Sequence, residues 1–164
     1  MSLTHPSPNH SARSHRVEAL CVHWTGGSYA SALDWTRRKE SQVSYHAIIA
    51  PDGEVALCVP WDRASWSVGA SRQPDDLRFT FGSKGNGATE NIALAGGPPT
   101  KPTPAQVQVL VRLLRARMIA HQWPLTETWR IVGHVDLAMP RGRKTDPTGG
   151  AWLDLGAVRQ AVSA

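Results

Sequence analysis

The sequence predicts an α/β domain with a mixed central β-sheet flanked by helices. Three observations carry that expectation. Short β-rich apolar runs recur along the chain, and stretches with helical spacing lie between them. Two of the runs are joined by Pro51-Asp52-Gly53, a turn signal that makes them a hairpin. The other runs are set apart by helical segments, so parallel and antiparallel neighbours are expected in one sheet.

The elements follow in order. Glu18 to Trp24 reads as a buried strand, broken by Thr25-Gly26-Gly27. Ser28 can cap a helix reaching about Lys39, with Ala30, Leu33 and Trp35 as candidate core contacts. Val43 to Ala50 and Glu54 to Val59 are the two strands of the hairpin. The irregular stretch 61–90 reads as a long loop region lining a groove. Asn91 to Ala95 is a short strand stopped by Gly96-Gly97-Pro98-Pro99. Thr103 as N-cap, Pro104 in the first turn and Gln106 as the capping-box partner open an amphipathic helix that runs to about Gln122. Its apolar residues Val107, Leu110, Val111, Leu114 and Met118 recur at helical spacing. Trp129 to Gly133 is another strand, 140–150 a Pro/Gly-rich loop, and Leu153 to Val162 a last helix. Residues 1–16, rich in Ser, His and Pro, read as a flexible leader, which leaves 17–164 as the folded domain.

Composition narrows the function classes. The chain has 164 residues, enough for one domain with a full core. The formal charge of +5 favours polyanionic partners, but the basic residues are scattered and no familiar nucleic-acid module is present. No nucleic-acid partner is therefore expected. No segment is apolar and long enough for a signal peptide or a bilayer span, so cytoplasmic synthesis without membrane insertion is expected. Cys21 and Cys58 lie in apolar runs and read as buried thiols, because two cysteines make no disulfide framework.

Two histidines stand at strand ends beside glycine: His23 before Gly26-Gly27, and His134 after Gly133. Two imidazoles and a carboxylate can hold zinc tetrahedrally with one position open for water. Local spacing leaves Asp136 and Asp146 as competing carboxylates. Tyr45 and His46 are neighbours on a strand and point to opposite faces. Arg141, Arg143 and Lys144 alone read as a solvated basic loop. Of the seven Trp, Trp66 is singled out as an aromatic face for carbohydrate.

Six blocks lie in a particular order: Val22-His23-Trp24-Thr25-Gly26-Gly27, Val43-Ser44-Tyr45-His46-Ala47-Ile48-Ile49 with Pro51-Asp52-Gly53, Trp66-Ser67-Val68-Gly69, Asn91-Ile92-Ala93-Leu94-Ala95-Gly96-Gly97, Val132-Gly133-His134, and Lys144-Thr145-Asp146-Pro147. In this the chain resembles the N-acetylmuramoyl-L-alanine amidases, a family that includes phage lysozymes of amidase type, muropeptide-recycling amidases and peptidoglycan-recognition proteins. The resemblance covers about residues 17–162. It implies one Zn²⁺ in a surface groove of a mixed sheet. It implies His23, His134 and Asp146 as ligands, which selects Asp146 over Asp136. It implies Lys144 as a catalytic lysine and Tyr45 as the tyrosine that assists in phage-type members. Trp66, Asn91 and Thr25 are the candidate substrate contacts, and the partner is the peptidoglycan glycan with its stem peptide.

Two departures matter. Ala93 stands where recycling amidases carry a catalytic Glu, and Ser67 where a His is common. The first points to a phage-type endolysin, acting as a monomer on the cell wall after release. A cytosolic recycling amidase and a non-catalytic peptidoglycan-binding module are the alternatives.

Overall fold

The apolar runs form the strands of one mixed sheet in a computed structural model that describes residues 4–164. In chain order the elements are β1 (His10–Ala12), β2 (Ala19–Trp24), α1 (Tyr29–Arg37), β3 (Ala47–Ile49), β4 (Val55–Leu57) and β5 (Arg63–Ser65). Then come α2 (Gly85–Ala88), β6 (Thr89–Leu94), α3 (Pro104–Ala120), β7 (Ile131–Gly133), α4 (His134–Leu137) and α5 (Leu155–Ser163). The central sheet has the order β4-β3-β6-β2-β7. Within this sheet the β3–β4 hairpin is antiparallel, and β3–β6, β6–β2 and β2–β7 are parallel. The mixed sheet expected from the sequence is therefore present.

Strand alternation decides what each face carries. Leu20 and Val22 of β2, Ala47 and Ile49 of β3, and Ile92 and Leu94 of β6 turn to one face. There they pack on Leu110, Leu114 and Met118 of α3 and on Leu155, Val158 and Val162 of α5. Fully burying each large aliphatic side chain contributes roughly 1.5–3 kcal/mol. The capping box at Thr103 and Gln106 forms as expected and fixes the start of α3. The opposite face carries Ile48 and Ala93, packed on Ala32 and Leu33 of α1. Cys21 lies on this face too, beside Val132 and Leu137. His23, two residues after Cys21, therefore shares it. Both cysteines are free and buried, as the sequence implies.

Two expectations about local packing change. Of the three residues expected to anchor α1, Ala30 and Trp35 are exposed. The buried stripe is Ala32, Leu33 and Thr36; Trp35, two residues after Leu33, lies about 200° around the helix from it and so faces away from the sheet.

The reading of residues 1–16 as a flexible leader is corrected for the described part, 4–16; residues 1–3 lie outside the described residues. β1 pairs with β5, and Ser7 and Asn9 are buried. Asn9 Nδ2 donates to the carbonyl oxygens of Arg38 at 2.8 Å and Val43 at 3.1 Å. The Arg13 guanidinium donates to the carbonyls of Trp61, Gly87 and Thr89. Low hydrophobicity signals disorder only when burial must supply the stabilisation. Here polar side chains hold the segment through carbonyls that would otherwise need water. Among the described residues, no helix is long and apolar enough to cross a membrane.

Candidate metal centre and its groove

His23 is the fifth residue of β2 and points to the α1 face of the sheet. β7 runs parallel to β2, with Val22 opposite Gly133, so His134 emerges one residue beyond and close by. The third group comes from the loop after α4. Val135 N–H donates to the Asp146 carbonyl at 2.8 Å, which ties that loop to the end of β7. The approach requires glycine at 133: a Cβ there would sit 2.6 Å from Pro147 Cδ. Asp136, the competing carboxylate, is used elsewhere. Its Oδ2 accepts from Gly133 N–H at 2.8 Å and caps α4.

His23 Nδ1 and His134 Nδ1 lie 3.1 Å and 3.2 Å from the same oxygen, Asp146 Oδ2. One donor atom from each of the three residues lies within 4.8 Å of the others, and all three residues are buried. The far nitrogen of each ring is occupied: His134 Nε2 faces the Val68 carbonyl at 3.1 Å, and His23 Nε2 faces Asn91 Oδ1 at 2.9 Å. Two imidazoles and a carboxylate converging with their outer nitrogens already satisfied form a donor set that fits zinc.

The electrostatics follow from burial and proximity. Burial pushes the Asp146 carboxyl up, but hydrogen bonds from His134 and His23 prevail and hold it well below the ordinary carboxylate range. Burial lowers the His134 pKa. Burial pushes Tyr45 above its ordinary range, and the Asp146 charge adds to the rise, so its phenol keeps its proton at neutral pH.

The cluster opens into a groove of about 570 Å³. Its wall includes Thr25, Trp35, Tyr45, Ser67 and Lys144. The Tyr45 ring lies 5.2 Å from that of His23. Lys144 is exposed, two residues from Asp146 along the same loop. The geometry thus brings together five of the eight residues singled out as catalytic, metal-binding or substrate-facing, and adds Thr25 at the rim. The Thr25 hydroxyl donates to Gly27 O at 2.7 Å and accepts from Gly96 N–H at 3.1 Å, so it also holds the turn after β2.

The other two are displaced. Trp66 is not on this wall; its indole N–H donates to Ser11 Oγ, and its neighbour Ser67 faces the groove instead. Asn91 is fully buried behind His23 and has no exposed atom to offer a substrate. Strand alternation puts position 91 two residues before Ala93, under the cluster rather than beside it. The wall residue that sequence reasoning missed is Trp35, whose 52% exposure is high for a large aromatic. Its place on the polar side of α1 was the available signal.

His46, whose neighbour Tyr45 faces the groove, lies on the far side of Asn91. It is fully buried and stacks on Trp61, with ring centroids 5.1 Å apart. Asn91 N–H donates to His46 Nδ1 at 2.9 Å, so Nδ1 is the acceptor and Nε2–H donates to the Arg63 carbonyl at 3.0 Å. Burial, with Arg13 nearby, lowers the His46 pKa to about 4. A His depressed in the folded state takes its proton first in the unfolded chain, so stability falls as pH drops below the unfolded value of about 6.5. That shift corresponds to about 2 kcal/mol lost between pH 7 and pH 5. Urea unfolding of the wild type and of His46→Gln at both pH values checks this. The wild type should lose about 2 kcal/mol more than the variant, and equal losses would remove His46 as the source.

Comparison with known proteins gives a consistent set of relatives. The sequence model of a family described as N-acetylmuramoyl-L-alanine amidase matches residues 13–149. The 1,6-anhydro-N-acetylmuramyl-L-alanine amidase AmpD of Escherichia coli (strain K12) is 33% identical over 122 residues, covering 74% of this chain and 60% of AmpD. The chain thus spans about three-fifths of the length of that curated relative. Among solved structures, a selenomethionine derivative of AmpD superposes with a TM-score of 0.73 at 26% identity, with both chains fully covered. The AmiD amidase of Escherichia coli, solved with the substrate anhydro-N-acetylmuramic acid-L-Ala-D-gamma-Glu-L-Lys, superposes with a TM-score of 0.71. Its identity is 21%, and the match covers 98% of this chain and 60% of AmiD. That last likeness carries the fold alone.

Proposed function

The chain belongs to the N-acetylmuramoyl-L-alanine amidase family, and on that premise we propose that it is a zinc-dependent amidase cutting peptidoglycan between N-acetylmuramic acid and L-alanine. The observation that carries the reading is the convergence of His23, His134 and Asp146, of which His134 and Asp146 line a groove that also holds Lys144 and Tyr45.

When bound, zinc supplies a Lewis acid that polarises the scissile carbonyl and lowers the pKa of a water toward ~7. His23, His134 and Asp146 hold it, and their single carboxylate leaves the site a net formal charge near +1. Lys144 offers a cation to the negative charge that develops on the carbonyl oxygen. Tyr45, protonated at neutral pH, would orient the water or relay a proton, giving its phenolic hydrogen to the leaving amine while taking up the one that the attacking water gives up. The groove takes the glycan and stem peptide, with Trp35 as an apolar platform on one wall.

Two biological settings differ in substrate. Lysis of intact wall by a phage-type enzyme is supported by Ala93, which is buried and carries no ionisable group at the place of a recycling amidase's catalytic Glu, and by Tyr45. Turnover of soluble 1,6-anhydro-muropeptides is supported by the 33% identity to AmpD.

One experiment addresses both levels. Purified sacculi and soluble anhydro-muropeptides are each incubated with the protein, with and without a zinc chelator, and new amino groups are counted against new reducing ends. New amino groups without reducing ends, lost on chelation and restored by Zn²⁺, are the expected result, with L-alanine as the new terminus. Release from sacculi selects the lytic setting, and release from soluble fragments alone selects recycling. Binding without release from either substrate would replace the enzyme reading by a peptidoglycan-binding module.

A further inference from the structure

We propose that Asn91 is a positioning residue that aims His23 at the metal, and that a buried polar lattice built around His46 sets the orientation of Asn91. The inference rests on the zinc reading above.

The argument is one of donors and acceptors. Thr89 Oγ1 donates its proton to the Gly85 carbonyl at 2.8 Å. It can then only accept from Asn91 Nδ2, 3.0 Å away. Asn91 Nδ2 also lies 3.0 Å from Ser65 Oγ. The two amide N–H groups are thereby directed away from the metal cluster, and Oδ1 is left facing His23 Nε2 at 2.9 Å. An amide oxygen only accepts, so the hydrogen on His23 must sit on Nε2. In the neutral imidazole that a metal requires, the lone pair then sits on Nδ1, the nitrogen 3.1 Å from Asp146 Oδ2; when no metal is bound, the ring carries a second hydrogen on Nδ1 and donates it to that carboxylate.

The lattice beneath has little freedom. Asn91, His46, Ser65 and Thr89 are all completely buried. His46 Nδ1 accepts from the Asn91 backbone N–H, and Ser65 Oγ lies 3.1 Å from the same nitrogen. Ser67 Oγ meets Ser65 Oγ at 2.9 Å and donates to the Ser44 carbonyl. Each polar group has its partner inside the protein, so turning the Asn91 amide would break several bonds at once. A fixed acceptor on the outer nitrogen of a ligating imidazole sets its tautomer and ring orientation, and losing such a partner typically costs ~10–100-fold in metal affinity.

The test measures zinc binding rather than turnover. Wild type, Asn91→Leu and Asn91→Asp are titrated with zinc against a chromophoric chelator. Long-range ¹H–¹⁵N spectra of the zinc-loaded wild type are recorded alongside. The dissociation constant of Asn91→Leu should rise ~10–100-fold, while Asn91→Asp, which keeps an acceptor oxygen, should stay near wild type. The spectra should place the metal on His23 Nδ1 and a slowly exchanging hydrogen on Nε2. A purely packing role for Asn91 would alter stability in the variants but neither the dissociation constant nor the bound nitrogen. Unchanged zinc affinity in a folded Asn91→Leu overturns the positioning role and leaves the zinc reading standing. Should that variant not fold, the wild-type spectrum decides, and coordination through His23 Nε2 overturns the proposal. A wild type that binds no zinc overturns both.

Discussion

The variant Asp146→Ala is expected to lose stoichiometric zinc, and nearly all turnover with it, while remaining folded. Asp146 is the only anionic member of the cluster, and its Oδ2 is the atom shared by both histidine rings. Removing it takes away one of three protein donors and also the acceptor between the two imidazoles. The loss should exceed the ~10–100-fold that follows from removing an outer partner of a ligand. The fold is expected to survive because the loop is also held by backbone, through Val135 N–H to the carbonyl of residue 146. Asp146→Cys supplies a thiolate, a donor that zinc accepts equally well, and should keep the metal. Metal analysis of the purified variants decides the matter. If Asp146→Ala retains one zinc per chain, the ligand set is wrong.

What was legible in the sequence differs from group to group. His23 and His134 stood out because each ends a β-rich run beside glycine, and parallel strands put such ends on one edge of the sheet. The register of β2 against β7 and the Gly133–Pro147 approach make this concrete. The choice between Asp136 and Asp146 was not legible from spacing. Asp136 is spent on a local bond, accepting from Gly133 N–H three residues back, while Asp146 reaches the histidines only once the loop after α4 has returned to the end of β7, where Val135 N–H meets its carbonyl. The N-terminal segment was misread for a related reason: Asn9 and Arg13 stabilise it through carbonyls far away in sequence, and composition carries no trace of such partners. Trp35 was expected in the core and lines the groove instead, although the start of α1 was read correctly: lying two residues from the buried Leu33, it sits about 200° around the helix and cannot share its face, whereas Trp66 is tied to Ser11 away from the groove. Asn91 was selected for the right neighbourhood and the wrong side of His23. Alternation along β6 from Ala93 was enough to place it beneath the cluster.

Lys144→Ala separates chemistry from metal binding. Lys144 is exposed on the groove wall, so its truncation removes a charge and little packing. Stability should stay within about 0.5 kcal/mol of wild type, as for surface substitutions generally. Zinc should remain, because His23, His134 and Asp146 are untouched. Turnover should nonetheless fall ~10²–10³-fold, the usual cost of removing one donor aimed at developing negative charge. The fall should lie in kcat with KM little changed, since the charge being stabilised develops only in the transition state. Lys144→Arg keeps the cation but presents it as a planar fork on a differently shaped side chain, so only part of the activity should return. Steady-state kinetics on the substrate identified above, together with zinc content, provide the check. A folded, zinc-loaded Lys144→Ala with near-normal kcat would assign the stabilisation of the carbonyl oxygen to the metal alone, and would leave Lys144 as one more solvated cation of a basic loop.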